Sequence, residues 1–203
     1  MTPRSNSFGA LLLALLLSAS ATAWAHRSTE STRLQVVEPA PDFALLDQDG
    51  AGFTLASLRG KVVVVTFIYT RCNQACPLLT TKMASAQERL GADFGSRVHF
   101  VSISVEPEVD TPAVLRAYAK AHSANLAGWS FLTGSPSAVE DVESSYGALG
   151  RRTGRNRVGH RGTIDHLFVT ALIDRRGNLR VRYLGPGFTP DELHQDLRAL
   201  LRE

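Results

Sequence analysis

Cysteine is scarce in this chain of 203 residues, which has two, Cys72 and Cys76, in the stretch YTRCNQACPLL. Two cysteines are too few for an iron–sulfur cluster or a structural zinc site of the usual four-cysteine kind. Neither sign of charge dominates, since 22 lysines and arginines are nearly balanced by 19 aspartates and glutamates, for a net charge of +3. So mild a charge argues against nucleic acid as a partner.

The N-terminal apolar run is too short to be a membrane span. It extends from Phe8 to Leu17, whereas a transmembrane helix needs roughly 20 residues. The run follows Arg4 and precedes Ala23, Trp24 and Ala25, which is the pattern of a secretory signal peptide. We therefore predict an exported, periplasmic protein that is not membrane-spanning; an uncleaved anchor is the weaker alternative. The predicted divisions are a signal peptide over 1–25, a polar lead over 26–38 and a single domain over 39–203.

Strand and helix patterns alternate along the predicted domain. The run KVVVVTFIY, residues 61–69, is typical of a strand buried on both faces. Leu79, Met83, Ala86 and Leu90 recur at helical spacing and predict a helix that ends at Gly91. The other predicted elements are an extended segment turning at Asp49-Gly50, a strand over 97–105, a helix capped by Thr111 and Pro112, a strand over 129–134, a helix over 135–149, a hairpin over 166–185 turning at 176–178, and a capped helix over 189–203.

This order of elements predicts an α/β, thioredoxin-like fold, in which a central mixed β-sheet is flanked by helices and preceded by an extended or hairpin segment. In such a fold the reactive site lies where the first buried strand passes into a helix. The two cysteines lie at that junction.

The spacing of the cysteines leaves three uses for the pair open. Pro77 predicts that Cys76 is the N-cap of the helix and that Cys72 lies in the loop before it. A helix N-terminus favours negative charge and lowers the pKa of a thiol. Redox pairs usually have two intervening residues, whereas this pair has three. Metal binding and redox turnover are about equally supported, and an inert disulfide is the weaker alternative.

Soft thiolate ligands suit copper(I), and copper would use a third ligand. Of the six histidines, His166 is the distinctive one, because it stands at the mouth of a strand that follows a long loop. No proline lies between Pro136 and Pro186, although thioredoxin-like oxidoreductases have a cis-proline before this strand. That absence weakens the redox interpretation and leaves room for His166 near the thiols. The simpler alternative is a histidine that merely begins a strand.

The loop before His166 is strongly basic. Residues 150–162, GRRTGRNRVGHRG, include five arginines and no acid. The loop either docks an acidic partner face close to the cysteine site or is a solvated segment without a partner.

Four stretches together resemble the Sco/SenC family of copper-binding assembly proteins for cytochrome c oxidase. They are FIYTRCNQACP, SISVEPEVDTPAVLRAYA, WSFLTG and IDHLFVTALIDRRG, in order and over nearly all of the chain after the signal peptide. The resemblance implies a thioredoxin-like fold and a copper site, Cu(I) or Cu(II), made by Cys72, Cys76 and His166. Asp165 also matches the family's pattern, where it either positions the site or makes a simple hydrogen bond within its loop. The chain departs from the family at Glu106, where aspartate is usual, and at Asn73, where proline is common.

Two functions follow from the resemblance. The first is a periplasmic copper metallochaperone, working at the membrane surface, that delivers copper to the copper-site subunit of cytochrome c oxidase. The second is a thiol-disulfide oxidoreductase that reduces the cysteines of that oxidase site through Cys72 and Cys76. Whether the protein is an enzyme therefore stays open at this point. A peroxide-reducing enzyme is disfavoured by the residues before Cys72, and a copper sensor is not distinguished from a carrier.

Overall fold

The computed structural model describes residues 34–72, 75–148, 151–152, 164–165, 168–185 and 187–203. The strands are β1 Glu38–Pro39, β2 Ala44–Leu46, β3 Gly52–Thr54, β4 Val62–Ile68, β5 Val98–Ser104, β6 Trp129–Leu132, β7 Arg151–Arg152, β8 Ile164–Asp165, β9 Val169–Ile173 and β10 Asn178–Leu184. The helices are α1 Ala75–Leu90, α2 Pro112–Ala121, α3 Pro136–Tyr146 and α4 Pro190–Leu200.

Six strands form a mixed sheet in the order β1-β10-β9-β4-β5-β6. Strands β4, β5 and β6 are parallel neighbours, whereas β9 is antiparallel to β4, β10 to β9 and β1 to β10. All seven residues of β4 and all seven of β5 are buried, as expected for strands covered on both faces. The mixed sheet with helices along it is the predicted architecture.

Alternate residues of β4 enter two different core clusters, one on each face of the sheet. Val62 and Val64 pack in the cluster that holds the buried faces of α1, α2 and α4. Val63 and Val65 pack in the cluster that holds α3 and the N-terminal hairpin of β2 and β3. This period of two follows from the pleat of a strand, and it places α1 and the hairpin on opposite faces.

The helix and turn signals in the sequence correspond to observed contacts. The predicted inner face of α1, Leu79 to Leu90, is buried. Thr111 caps α2 by accepting from the N–H of Val114, and Pro112 is the first residue of that helix. The predicted hairpin turns are also present, and Gly50 adopts the positive φ of 77° that a non-glycine residue rarely adopts.

The chain already contacts the sheet before residue 39. Leu34 is buried in the core, the N–H of Val37 donates to the oxygen of Leu179, and Glu38 pairs with Leu179 in β1. Residues 34–38, the end of the segment predicted as a polar lead, thus help to cover the edge of β10.

Candidate metal centre

The cysteines lie where β4 passes into α1, at the edge of the sheet where the sequence predicted the reactive site. Strand β4 ends at Ile68, and a turn follows in which the N–H of Cys72 donates to the oxygen of Tyr69 over 3.2 Å. Helix α1 begins at Ala75, so Cys76 is its second residue and not its N-cap as predicted. The N–H of Cys76 donates instead to Sγ of Cys72 over 3.4 Å. Cys72 thus accepts from one of the amides that a helix N-terminus leaves without an intrahelical partner.

Both thiols are reduced and lie in the hydrophobic core. Cys72 is 8% exposed and Cys76 is 0% exposed, so water reaches the pair from the side of Cys72. Burial raises the pKa of the Cys76 thiol, although a hydrogen bond from the N–H of Tyr69 acts in the opposite direction. The expected lowering of the pKa by the helix N-terminus is outweighed at Cys76, because removing a charge from water costs more than the helix dipole returns.

Tyr69 begins the turn that carries Cys72, and its backbone oxygen accepts from the N–H of Cys72. The side chain is half-buried and packs against the core clusters on both faces of the sheet. Burial and the hydrogen bond to Cys72 raise the pKa of Tyr69, which keeps its hydroxyl protonated at neutral pH.

A buried carboxylate from the segment between β5 and α2 holds the turn between Tyr69 and Cys72. Asp110 is 0% exposed and accepts from the N–H of Thr70 over 3.0 Å and from its hydroxyl over 2.5 Å. Its Oδ2 also accepts from the hydroxyl of Ser104, at the end of β5, over 2.6 Å. Asp110 thus joins the ends of two neighbouring strands.

A second buried acid holds Arg71. Both carboxylate oxygens of Glu106 accept from the guanidinium of Arg71, and the N–H of Glu106 donates to the hydroxyl of Ser104 over 3.0 Å. These contacts raise the pKa of Arg71. Glu106 is one of the two positions singled out in the sequence as departures from the family resemblance, and it pairs with an arginine of the cysteine turn.

A pair of hydroxyls lies behind Cys76, on the side of α2. The hydroxyl of Thr80 donates to the oxygen of Cys76 over 2.9 Å and lies 2.9 Å from the hydroxyl of Tyr118. Burial raises the pKa of Tyr118 to about 12. This contact fixes the first turn of α1 against α2 and does not involve sulfur.

The predicted third ligand, His166, lies outside the described residues. The described chain resumes at Phe168, just before β9, and Thr170 of β9 pairs with Thr66 of β4. Within the ranges that the structure describes, no group of three or more His, Cys, Asp and Glu side chains could hold a metal ion. Asp165 is described only as a residue of β8, where it pairs with Arg151 of β7. Residues 150 and 153–162 of the arginine loop lie outside the described residues as well.

The other described histidines have structural surroundings, as their positions predicted. His99 lies on β5, with Nε2 2.9 Å from the hydroxyl of Ser130 and its ring against Phe53. His122 is the C-cap of α2 and His194 lies on α4.

The sequence did not identify Tyr69, Glu106 or Asp110 as site residues. One signal was available: the acids of EPEVD directly follow a buried strand. The C-terminal ends of parallel neighbours meet at one edge of a sheet, so those acids and the cysteine turn could have been placed together.

A mixed sheet with a thiol pair at the junction of strand and helix defines a thioredoxin-like protein, and comparison with solved structures confirms this fold. The model of the SCO1/SenC family matches residues 32–202. The chain therefore belongs to the SCO1/SenC family.

Individual relatives are similar over most of the chain. The SCO1 protein homolog of Bacillus subtilis is 32% identical over 167 residues, which are 80% of this chain and 81% of that protein. The structure of Bradyrhizobium japonicum ScoI with copper bound is 30% identical, with a TM-score of 0.69, and the match covers 79% of this chain and 98% of ScoI. BsSco, a member of the Sco family of cytochrome c oxidase assembly proteins with a disulfide switch, is 29% identical, with a TM-score of 0.67 and coverage of 82% and 96%.

No helix in the described part of the chain combines the length and the apolar character needed to cross a membrane.

Proposed function

We propose that this protein is a periplasmic copper metallochaperone that binds copper through Cys72, Cys76 and His166 and delivers it to the copper site of cytochrome c oxidase. The observation that carries the proposal is the pair of reduced, buried thiols in the first turn of α1. The chain belongs to a family in which a relative, ScoI, was solved with copper bound.

The thiol pair suits a soft metal cargo. Thiolates are the ligands that select copper(I), and the hydrogen bond from the N–H of Cys76 to Sγ of Cys72 keeps the first sulfur beside the start of α1. The surrounding core excludes water, which protects the reduced pair. Uptake displaces the thiol protons, so we expect copper to be held less tightly as the pH falls.

The sheet topology supports His166 as the third ligand. An antiparallel neighbour begins where its partner ends, and Thr170 near the start of β9 pairs with Thr66 near the end of β4. Strand β9 therefore begins at the edge that carries the cysteines. We propose that His166 approaches from the residues before β9 and that Asp165 positions it. A ligand 90 positions from Cys76 in the sequence can leave while the two thiols stay in place.

Transfer then takes place by ligand exchange at the exposed side of the site. We propose that the acceptor is the copper-site subunit of cytochrome c oxidase, met at the membrane surface. The arginines of loop 150–162 would guide an acidic face of that subunit toward the cysteine edge.

The test is an anaerobic titration of residues 26–203 with copper(I) in competition with a colorimetric chelator. We expect one copper per chain, tightly held, and a loss of at least tenfold in affinity in His166→Ala. The His122→Ala variant is the matched control, because it removes a histidine from the end of α2, and it should bind as the native protein does.

The same titration distinguishes the metallochaperone from the second candidate function, thiol-disulfide exchange. That function is favoured by a reduced pair with one sulfur partly accessible, and the relative BsSco has a disulfide switch. In this reaction the two thiols would become a disulfide, while two electrons and two protons reduce a disulfide of the oxidase site. Weak copper binding that is indifferent to His166 would refute the metallochaperone and leave thiol-disulfide exchange as the function of the pair.

A further inference from the structure

We propose that the end of the domain opposite the cysteines is a docking surface for the headgroups of anionic phospholipids. Five basic residues form this surface, which we call the basic face: Arg59, Lys61, Arg175, Arg176 and Arg202. The inference goes beyond the proposed function, because it concerns groups that take no part in holding copper.

The basic face is built from three segments that meet at the start of β4. The turn before β4, the turn between β9 and β10, and the end of α4 line one cavity. The N–H of Gly60 donates to the oxygen of Arg175 over 3.0 Å, and Nε of Arg175 donates to the oxygen of Gly60 over 3.1 Å. The guanidinium of Arg59 donates to the oxygen of Arg176. These contacts hold the three arginines side by side.

The basic side chains bond to backbone oxygens and keep their charge. Arg59 and Arg175 each use part of a guanidinium that carries five N–H donors, so further donors stay available at exposed positions. Nζ of Lys61 donates to the oxygen of Gly95 over 2.6 Å. A bond to a neutral carbonyl oxygen fixes a cation in place without neutralising it.

The acids beside the basic face already have arginine partners. Asp174 and Glu203 both accept from Arg180 on β10. Asp93 accepts from two exposed arginine side chains, over 3.1 and 2.8 Å. Positive charge is therefore in excess at this end of the sheet.

This arrangement suits a lipid surface better than a single bound anion. The basic face spreads its charges over three segments, and the cavity between them is also lined by Asp174 and Glu203, which would repel an anion inside it. Clusters of about four to eight lysines and arginines are typical of surfaces that bind anionic lipids. Arginine also pairs with phosphate through two parallel hydrogen bonds.

Docking by the basic face would orient the cysteine site. The seven residues of β4 separate the two ends of the sheet, which is roughly 23 Å for a strand of this length. A protein docked in this way presents the cysteine edge away from the lipid.

The test is flotation of residues 26–203 with vesicles of equal parts phosphatidylglycerol and phosphatidylcholine, compared with vesicles of phosphatidylcholine alone. The apolar run 8–17 is left out because it would itself bind lipid. We expect binding to the acidic vesicles only. The binding should be lost at about 1 M salt, where the Debye length falls to about 3 Å.

Arg176→Glu should bind the acidic vesicles about 25-fold more weakly. Each basic residue near an anionic surface contributes about fivefold, and this change removes one positive charge and adds one negative charge. Among the described residues, the hydrogen bonds of Arg176 involve its backbone groups, so we expect the variant to fold.

Arg116→Glu is the matched control. It changes the net charge equally at an exposed position of α2, where Arg116 forms an ion pair with Asp49 in the turn between β2 and β3. It should bind the acidic vesicles as the native protein does. Near-UV circular dichroism checks that both variants fold.

Three results would overturn the inference. The first is equal binding of the native protein to both kinds of vesicle, and the second is an equal loss of binding in Arg116→Glu. The third is binding of inorganic phosphate or of polyglutamate without binding to acidic vesicles, which would assign the basic face to a free anion or to an acidic protein. The measurement uses no copper. A native protein that fails to bind copper would therefore refute the proposed function, while the vesicles still judge the basic face.

Discussion

The two ends of the central strand β4 both carry buried charge, and they use it differently. At the C-terminal end, Asp110 and Glu106 hold the turn that leads to Cys72. At the other end, where Ile173 pairs with Val63, the turn between β9 and β10 is held by Asp174 and Arg180.

The buried charges of Asp174 and Arg180, at the start of β4, each have several hydrogen-bond partners. Arg180 donates to Asp174 over 3.1 Å and also bonds both carboxylate oxygens of Glu203. Asp174 accepts further bonds from the N–H groups of Arg176 and Asn178. Although burial acts to raise it, the pKa of Asp174 is lowered by the hydrogen bonds from Asn178, Arg180 and Arg176.

The difference between the ends separates a structural cluster from a functional one. The bonds of the Asp174 cluster close a turn or hold Glu203 and the oxygen of Leu34, and no reactive group follows from it. The bonds of Asp110 end on a turn that presents two sulfurs. Buried charge is thus structural at one end, and at the other it supports groups with chemistry of their own.

The largest expected effect comes from Arg180→Ala, because it leaves Asp174 buried without its cation. Breaking a buried ion pair costs about 3 to 5 kcal/mol in the free energy of unfolding. Urea denaturation measures this loss, and Arg175→Ala, at an exposed position of the same turn, is the control. The copper(I) affinity of the folded protein should not change. A changed affinity would contradict the claim that the Asp174 cluster is structural and does not affect the cysteine site.

A smaller loss of stability with a change in function is expected for Asp110→Asn. The amide keeps the shape but replaces one acceptor oxygen with a donor that faces donors, which costs about 2 kcal/mol. Because the cysteine turn loosens, copper(I) should be held about tenfold more weakly, a ratio of affinities that corresponds to about 1.4 kcal/mol. Glu108→Gln, at an exposed position in the same segment, is the control. If Asp110→Asn loses stability but keeps the native copper affinity, the buried charge at this end of β4 is structural, as it is at the other end.

The third prediction concerns His99, a buried polar residue that belongs to neither charged cluster and whose Nδ1 has no hydrogen-bond partner. Burial, with a smaller contribution from the charge of Lys61, lowers the pKa of His99 to about 4. Since the unfolded chain takes up the proton first, stability is complete above about pH 6.5 and falls as the pH drops toward 4. The loss at pH 5 is about 2 kcal/mol.

Urea denaturation of the native protein and of His99→Gln at pH 7 and pH 5 measures this effect. The variant should lose much less stability between the two pH values than the native protein does. If both proteins lose the same stability between pH 7 and pH 5, groups other than His99 cause the acid sensitivity. The carboxylates of the two clusters would then be tested first.

The sequence predicted the fold well because its signals are local. The fully apolar β4 and the spacing of Leu79 to Leu90 depend only on neighbours along the chain, as do the caps at Thr111 and Thr189. The predicted start of α1 was wrong by two residues, because Pro77 is the third residue of the helix and not the first, and proline is tolerated throughout the first turn.

The surroundings of the cysteines could not be predicted in the same way. The contact from Asp110 to Thr70 joins residues 40 positions apart, and it depends on the parallel register of β4 and β5. The protonation of Cys76 depends on how completely the core surrounds it, which its place at a helix N-terminus does not indicate. The ligand set of Cys72, Cys76 and His166 remains a prediction of the sequence and its family resemblance.

The placement of Cys76 within the same core cluster as Leu79 and Met83 has a consequence for the life of the protein in the cell. A cargo held by core side chains of the native state, and much less by the unfolded chain, raises the free energy of unfolding by mass action. Under the proposed function, the copper-loaded protein then opens less often than the empty protein, and proteases that cut opened chains remove the empty protein first. The amount of carrier would in this way follow the supply of its cargo without a separate sensor.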